Sequence, residues 1–126
     1  MLEVLQILEA EVNLREDTRV AEQAKKAIAK EEHARQAGVL SKTQYQIQER
    51  TDKVTQRIRD LPDGEVEFGK EIALLTRVSQ VMNEAGGILA RADTGRPAIA
   101  AETEAIELLL QSRRLPARFQ RAPPAA

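Results

Sequence analysis

The sequence predicts an all-α protein, built as an antiparallel four-helix bundle or as long helical hairpins. Three observations predict it. Strong helix formers dominate, with charged residues at 31% and aromatics at 2% of 126 residues; this is the make-up of helices with charged surfaces and aliphatic seams. Apolar residues recur at intervals of three and four in every segment, the spacing of one helix face. The breaks between segments carry Gly, Pro and Asp, which punctuate helices. The expected helices span residues 2–37, 41–61, 68–92 and 97–115, in one domain of residues 1–115 followed by a tail over 116–126.

The first helix rests on Met1, Leu5, Leu8 and Val12, and then on Val20, Ala24, Ala27, Glu31 and Ala34. The two stripes stand eight residues apart, which suits a straight helix more than a tight supercoil. Gly38 is placed to end it in a left-handed conformation. Ser41 and Gln44 read as a capping box for the second helix, with Leu40 and Tyr45 as its hydrophobic staple. Leu40, Gln44, Ile47, Thr51, Val54, Ile58 and Leu61 then form a narrow, partly polar seam, the face of a helix lying against one or two others. Pro62 and Asp63-Gly64 stop it.

The third helix carries two adjoining seams. One is Ile72, Leu75, Ser79, Met82, Gly86 and Leu89; the other is Leu74, Val78, Val81, Ala85 and Ile88. So wide an apolar face predicts the most buried helix. Gly86-Gly87 within it costs about 1 kcal/mol per glycine against alanine, so close packing of a neighbour on that backbone is expected. Gly95 marks the following turn, and Pro97 suits the first turn of the fourth helix. Ile99, Ile106, Leu109 and Leu110 form that helix's core face. Glu102, Glu104 and Glu107 towards its start, with Arg113 and Arg114 at its end, complement the helix dipole.

Several function classes recede on composition alone. Lys and Arg number 19 against 20 Asp and Glu, a net charge of −1, which gives no electrostatic case for nucleic acid or an anionic membrane as main partner. No cysteine is present, which excludes disulfides, thiolate metal sites and cysteine nucleophiles. No run approaches the ~18 apolar residues of a membrane span, and Glu3 and Glu9 argue against a signal peptide. A soluble chain is expected, in the cytoplasm or as a soluble part of an envelope protein. The lone His33 lies beside Glu31 and Glu32, but a metal site needs three or four converging ligands, so a solvated histidine is expected. The glutamates of the last helix read as an exposed acidic face. Gly95 before a helix start lacks the Lys-Ser/Thr of a phosphate loop. No catalytic residue, metal ligand or cofactor is therefore expected.

The runs "QYQIQERTDKVTQRIRDLP", "FGKEIALLTRVSQVMNEAGGILARADTG" and "AIAAETEAIELLLQ" resemble helical segments of the DUF4175-like group of bacterial proteins and similar planctomycete proteins. The likeness rests on Arg50-Thr51, on Met82 and Ala85, on Thr94-Gly95 and on the Glu104 to Glu107 stretch, within residues 40–112. It implies an envelope-associated, non-catalytic helical domain of a larger protein, and it assigns no active residues.

The sequence thus predicts a non-catalytic structural or interaction domain that associates with itself or with another helical protein, through Leu75, Val78, Val81, Met82 and Ala85. The alternative is an adaptor for an acidic partner (protein, membrane surface or RNA) through Arg113, Arg114, Arg118 and Arg121. A metal-dependent bundle enzyme is the third reading.

Overall fold

The computed structural model describes the backbone of residues 2–113 and the side chains of residues 3–112. Met1, the side chain of Arg113, the tail over 116–126 and the arginines at 114, 118 and 121 lie outside the described residues.

The chain is an all-α bundle. Helix α1 spans Leu2–Ala24, and a single 3₁₀ turn over Lys25–Ala27 leads to α2, Lys30–Arg59. A one-turn helix, α3 (Gly64–Glu67), precedes α4 (Gly69–Ala90), and α5 covers Arg96–Arg113. The four long helices form a ring in which α1 packs on α2 and α5, and α4 packs on the same two. Cross-links show the antiparallel sense. Early α1 meets late α2 through Glu3 and Arg50, 2.9 Å apart. Early α2 meets late α4 through the Ser41 hydroxyl and the Gly86 carbonyl, 2.8 Å apart.

One rule orders the interior. The buried residues of α1 fall at Val4, Ile7, Glu11, Leu14, Thr18 and Ala21. Those of α2 fall at His33, Ala37, Leu40, Gln44, Ile47, Thr51, Val54 and Ile58. Helix α4 contributes Leu75, Val78, Met82, Ala85 and Leu89, and α5 contributes Ala98, Glu102, Ala105, Leu109 and Ser112. Each series alternates steps of three and four, the spacing of knobs-into-holes packing. A buried Val or Leu side chain contributes about 1.5–3 kcal/mol, so these seams supply the main driving force.

The boundaries depart from expectation at the first two helices. The chain reverses at Ile28 and Ala29, both extended at ψ 163° and 148°, and α2 then runs unbroken through Gly38 and Ser41. No glycine or proline marks this reversal. The seams of α1 and α2 are out of register with one another, so one straight helix would leave one of them in water; folding back buries both. Val12 and Val20, placed by sequence on the core face of the first helix, are 37% and 54% exposed. Ser41 is no cap: its hydroxyl donates to the carbonyl of Gly86 at 2.8 Å. Tyr45 is no staple either; its ring lies over Gly86, where an added Cβ would come within 2.7 Å of Tyr45 Cζ. The neighbour packed on the Gly86 backbone is thus this ring, and α4 continues unbroken to Ala90.

The turn out of α2 and the end of α4 are set by backbone geometry. Gly64 abuts the carbonyl of Ile58, where a Cβ would collide with backbone oxygen. At the far end Ala92 holds φ 62°, and the amides of Ala92 and Asp93 bond to the carbonyls of Leu89 and Ile88 at 2.9 and 3.3 Å. That is a Schellman ending with alanine where glycine is usual. The left-handed conformation costs a residue bearing a Cβ roughly 1–2 kcal/mol. Ala92→Gly is therefore expected to stabilise the fold by about 0.5–1 kcal/mol. Gly64→Ala is expected to destabilise it by on the order of 2 kcal/mol. Denaturant midpoints measured at constant m-value check both.

Candidate functional site

The seams are not uniformly apolar. Glu11 and Thr18 occupy seam positions on α1, Gln44 on α2 and Glu102 on α5; all four are 0% exposed. Their apolar neighbours carry them inside, because the helix spacing that buries Ile7 and Leu14 also buries the residue between them. Gln44 Nε2 donates to Glu11 Oε1 at 2.7 Å. Thr18 Oγ1 lies 2.7 Å from Glu102 Oε2 and 2.9 Å from the Leu14 carbonyl oxygen. Arg15 stands nearby but donates its Nη1 to Thr103 Oγ1 at 3.3 Å. Glu11 Oε2, Glu102 Oε1, Gln44 Oε1 and Arg15 Nε have no partner among the described residues.

The single Thr18 hydrogen has two acceptors within reach, the Leu14 carbonyl and Glu102 Oε2. Burial decides the balance for both acids, since an unpaired carboxylate out of water is costly. Burial pushes the Glu11 carboxyl up to about 8, with the Glu102 charge adding to it, while the Gln44 bond and Arg15 oppose. Burial likewise raises Glu102 to about 7 against the opposing effects of Thr18, Arg15 and Arg19.

A second polar group sits where the α4–α5 turn meets α1 and α2. The Thr94 hydroxyl donates to Glu22 Oε1 at 2.8 Å, and His33 Nε2 lies 3.3 Å from Thr94 Oγ1. Thr94 has given its hydrogen to the carboxylate, so His33 donates from Nε2, leaving the buried Nδ1 without a partner. His33 is 4% exposed. The solvated histidine expected from sequence is instead a packing residue at the first turns of α2.

The acidic face expected on the last helix divides in three. Glu102 is fully buried, Glu104 is part-exposed and pairs with Arg77, and Glu107 is exposed. The face offered for self-association is also inside. Leu75, Val78, Val81, Met82 and Ala85 are all 0% exposed within the single chain. The double seam exists because α4 has two neighbours, α2 and α5, and they cover both halves of it.

Among the described residues, no three His, Asp or Glu side chains converge as a metal site. No described helix is long and apolar enough to cross a membrane. The surface formed by the described residues carries open depressions. A groove of about 400 Å³ between α1 and α2 is lined by Asp17, Val20, Ala24, Arg35, Gln36 and Val39, with Ala21 and Leu40 at its base. A smaller, polar one between α2 and α4 includes Asp52, Thr55, Thr76 and Ser79. Neither is lined by Glu11, Gln44 or Glu102.

These features define a class: a four-helix bundle with polar layers sealed in its core and an apolar groove on its outside. No family model, curated protein or solved structure matches the chain.

The buried acids carry a stability consequence. Unfolded glutamate ionises near 4.5, whereas Glu102 and Glu11 do so near 7 and 8. Between those values the folded chain holds protons that the unfolded chain has released. Stability is therefore greatest below the unfolded value, falls as pH rises through the window, and is lowest above about 8. A tenfold change in proton affinity is worth about 1.4 kcal/mol, so ionising the pair costs on the order of a few kcal/mol. Melting temperature is expected to fall by roughly 5–10 °C between about pH 5.5 and about pH 9, followed by circular dichroism at fixed ionic strength.

Proposed function

We propose that this chain is a non-catalytic helical interaction domain that associates with a second copy of itself through the α1/α2 groove. The observation that carries the reading is the groove's apolar content. Val20 and Val39 stand on its opposite walls at 54% and 53% exposure. Valines so exposed on facing helices gain by being covered. Asp17 and Arg35 on the two walls place opposite charges beside the apolar strip, which suits an isologous contact in which each copy offers both signs. The sealed interior supports the non-catalytic part: carboxylate catalysis needs groups that reach a substrate, and Glu11 and Glu102 have no exposed surface.

Sedimentation of the chain over a range of concentrations tests the reading. The expected result is a mass that rises toward the dimer, and that stays monomeric in Val20→Glu/Val39→Glu. Both valines are already half in water, so this variant should keep its helicity and melt within a few degrees of the parent. A parent chain that sediments as a monomer throughout overturns the reading.

A further inference from the structure

Glu11 and Glu102 have a property that a packing role does not require: each is a fully buried acid with one carboxyl oxygen unpartnered among the described residues. Glu11 accepts a single bond, from Gln44. Glu102 accepts from a threonine hydroxyl that the Leu14 carbonyl also draws on. Neither carboxyl forms an ion pair among the described residues, although Arg15 is within electrostatic reach of both. Both also face α1. Glu11 stands on that helix, and Glu102 reaches across from α5 to Thr18 on it. The remaining groups around them are Gln44 from α2, Thr103 from α5, and Arg15 and Arg19 from α1. Helix α4 carries one buried acid, Glu71 in its first turn, with Oε1 unpartnered among the described residues; from Ile72 to Leu89 its buried face contains no titratable side chain.

We propose that Glu11 and Glu102 form a proton-operated latch on α1: in their neutral form they hold this helix in the bundle, and their ionisation releases it from α2 and α5. An ionised carboxylate regains its hydration only where water reaches it, and the shortest route for water to both groups is separation of α1 from the other helices. The apolar contact of α4 with α2 and α5 is not under the same strain. Release bares the seams of α2 and α5, so the latch would set how much apolar surface the domain offers to a partner helix. It rests on a different observation from the self-association proposed above, because both carboxyls lie outside the α1/α2 groove, but release of α1 from α2 would also take that groove apart.

Native-state hydrogen exchange at about pH 5.5 and about pH 9, corrected for intrinsic base catalysis, tests the latch. The expected result is that α1 opening increases about tenfold or more between the two, with a smaller change in α4. In Glu11→Gln/Glu102→Gln, which keeps a neutral side chain at every pH, α1 opening should be the same at both. Carbon-13 titration of the glutamate side chains in the unaltered chain should show two carboxyls ionising well above the rest, and it needs no variant to fold. The latch is overturned by any of three results. These are α1 protection independent of pH in the unaltered chain, equal loss of protection in α1 and α4, or two buried carboxyls titrating with the exposed ones.

Discussion

The spacing of buried side chains, alternately three and four residues apart on each long helix, is the constraint on which everything else rests. It forces each helix to present one stripe, and four stripes can be covered together only in a closed ring. The three reversals follow from that requirement. The first, at Ile28 and Ala29, obeys it against local preference, since alanine, lysine and glutamate on either side all favour continued helix. The same spacing is indifferent to chemistry. It takes Glu11 and Glu102 inside as readily as Leu14 and Leu109, and the polar layers result.

Those layers exchange stability for alignment. An aliphatic seam can slide by one heptad against its neighbour and still bury similar surface, whereas the Gln44–Glu11 and Thr18–Glu102 contacts form at one height only. A slip would leave each of these groups buried without a partner, at a cost of roughly 1–3 kcal/mol apiece. Buried polar residues at seam positions are known to select register in this way. Here the cost of keeping them depends on the proton concentration.

Much of the fold was legible in the sequence because its signals are local. The seam from Leu40 to Ile58 was visible as a 4-3 alternation, and the wide face of α4 announced the most buried helix, although the surplus face read as a self-association surface is covered by α2 and α5 within the chain. The stop at Pro62 and Asp63-Gly64 rests on backbone chemistry that context does not overrule. The reversal after Ala24 was not legible as a turn, because it lacks any turn residue. Its trace is a change of register: carried two steps upstream, the Leu40 seam passes through Gly38 to Ala37 and His33, which makes one helix of what reads as the end of one and the start of another. The candidate site was harder to see. Glu102 and Glu11 carry the same letters as the solvated glutamates around them, and only the positions of Ile7, Leu14, Ala98 and Ala105 reveal which acids go inside. Val12 and Val20 mislead in the opposite sense. They are apolar and helically spaced, and they face outward.

The ring of Tyr45 over Gly86 has a use that follows from composition. The chain has one tyrosine and no tryptophan, so its tyrosine emission reports on a single place, the contact between α2 and α4. A chromophore on the side of the bundle away from the buried acids separates two events that helicity alone would merge: departure of the first helix, which leaves this ring's surroundings intact, and collapse of the whole assembly, which does not.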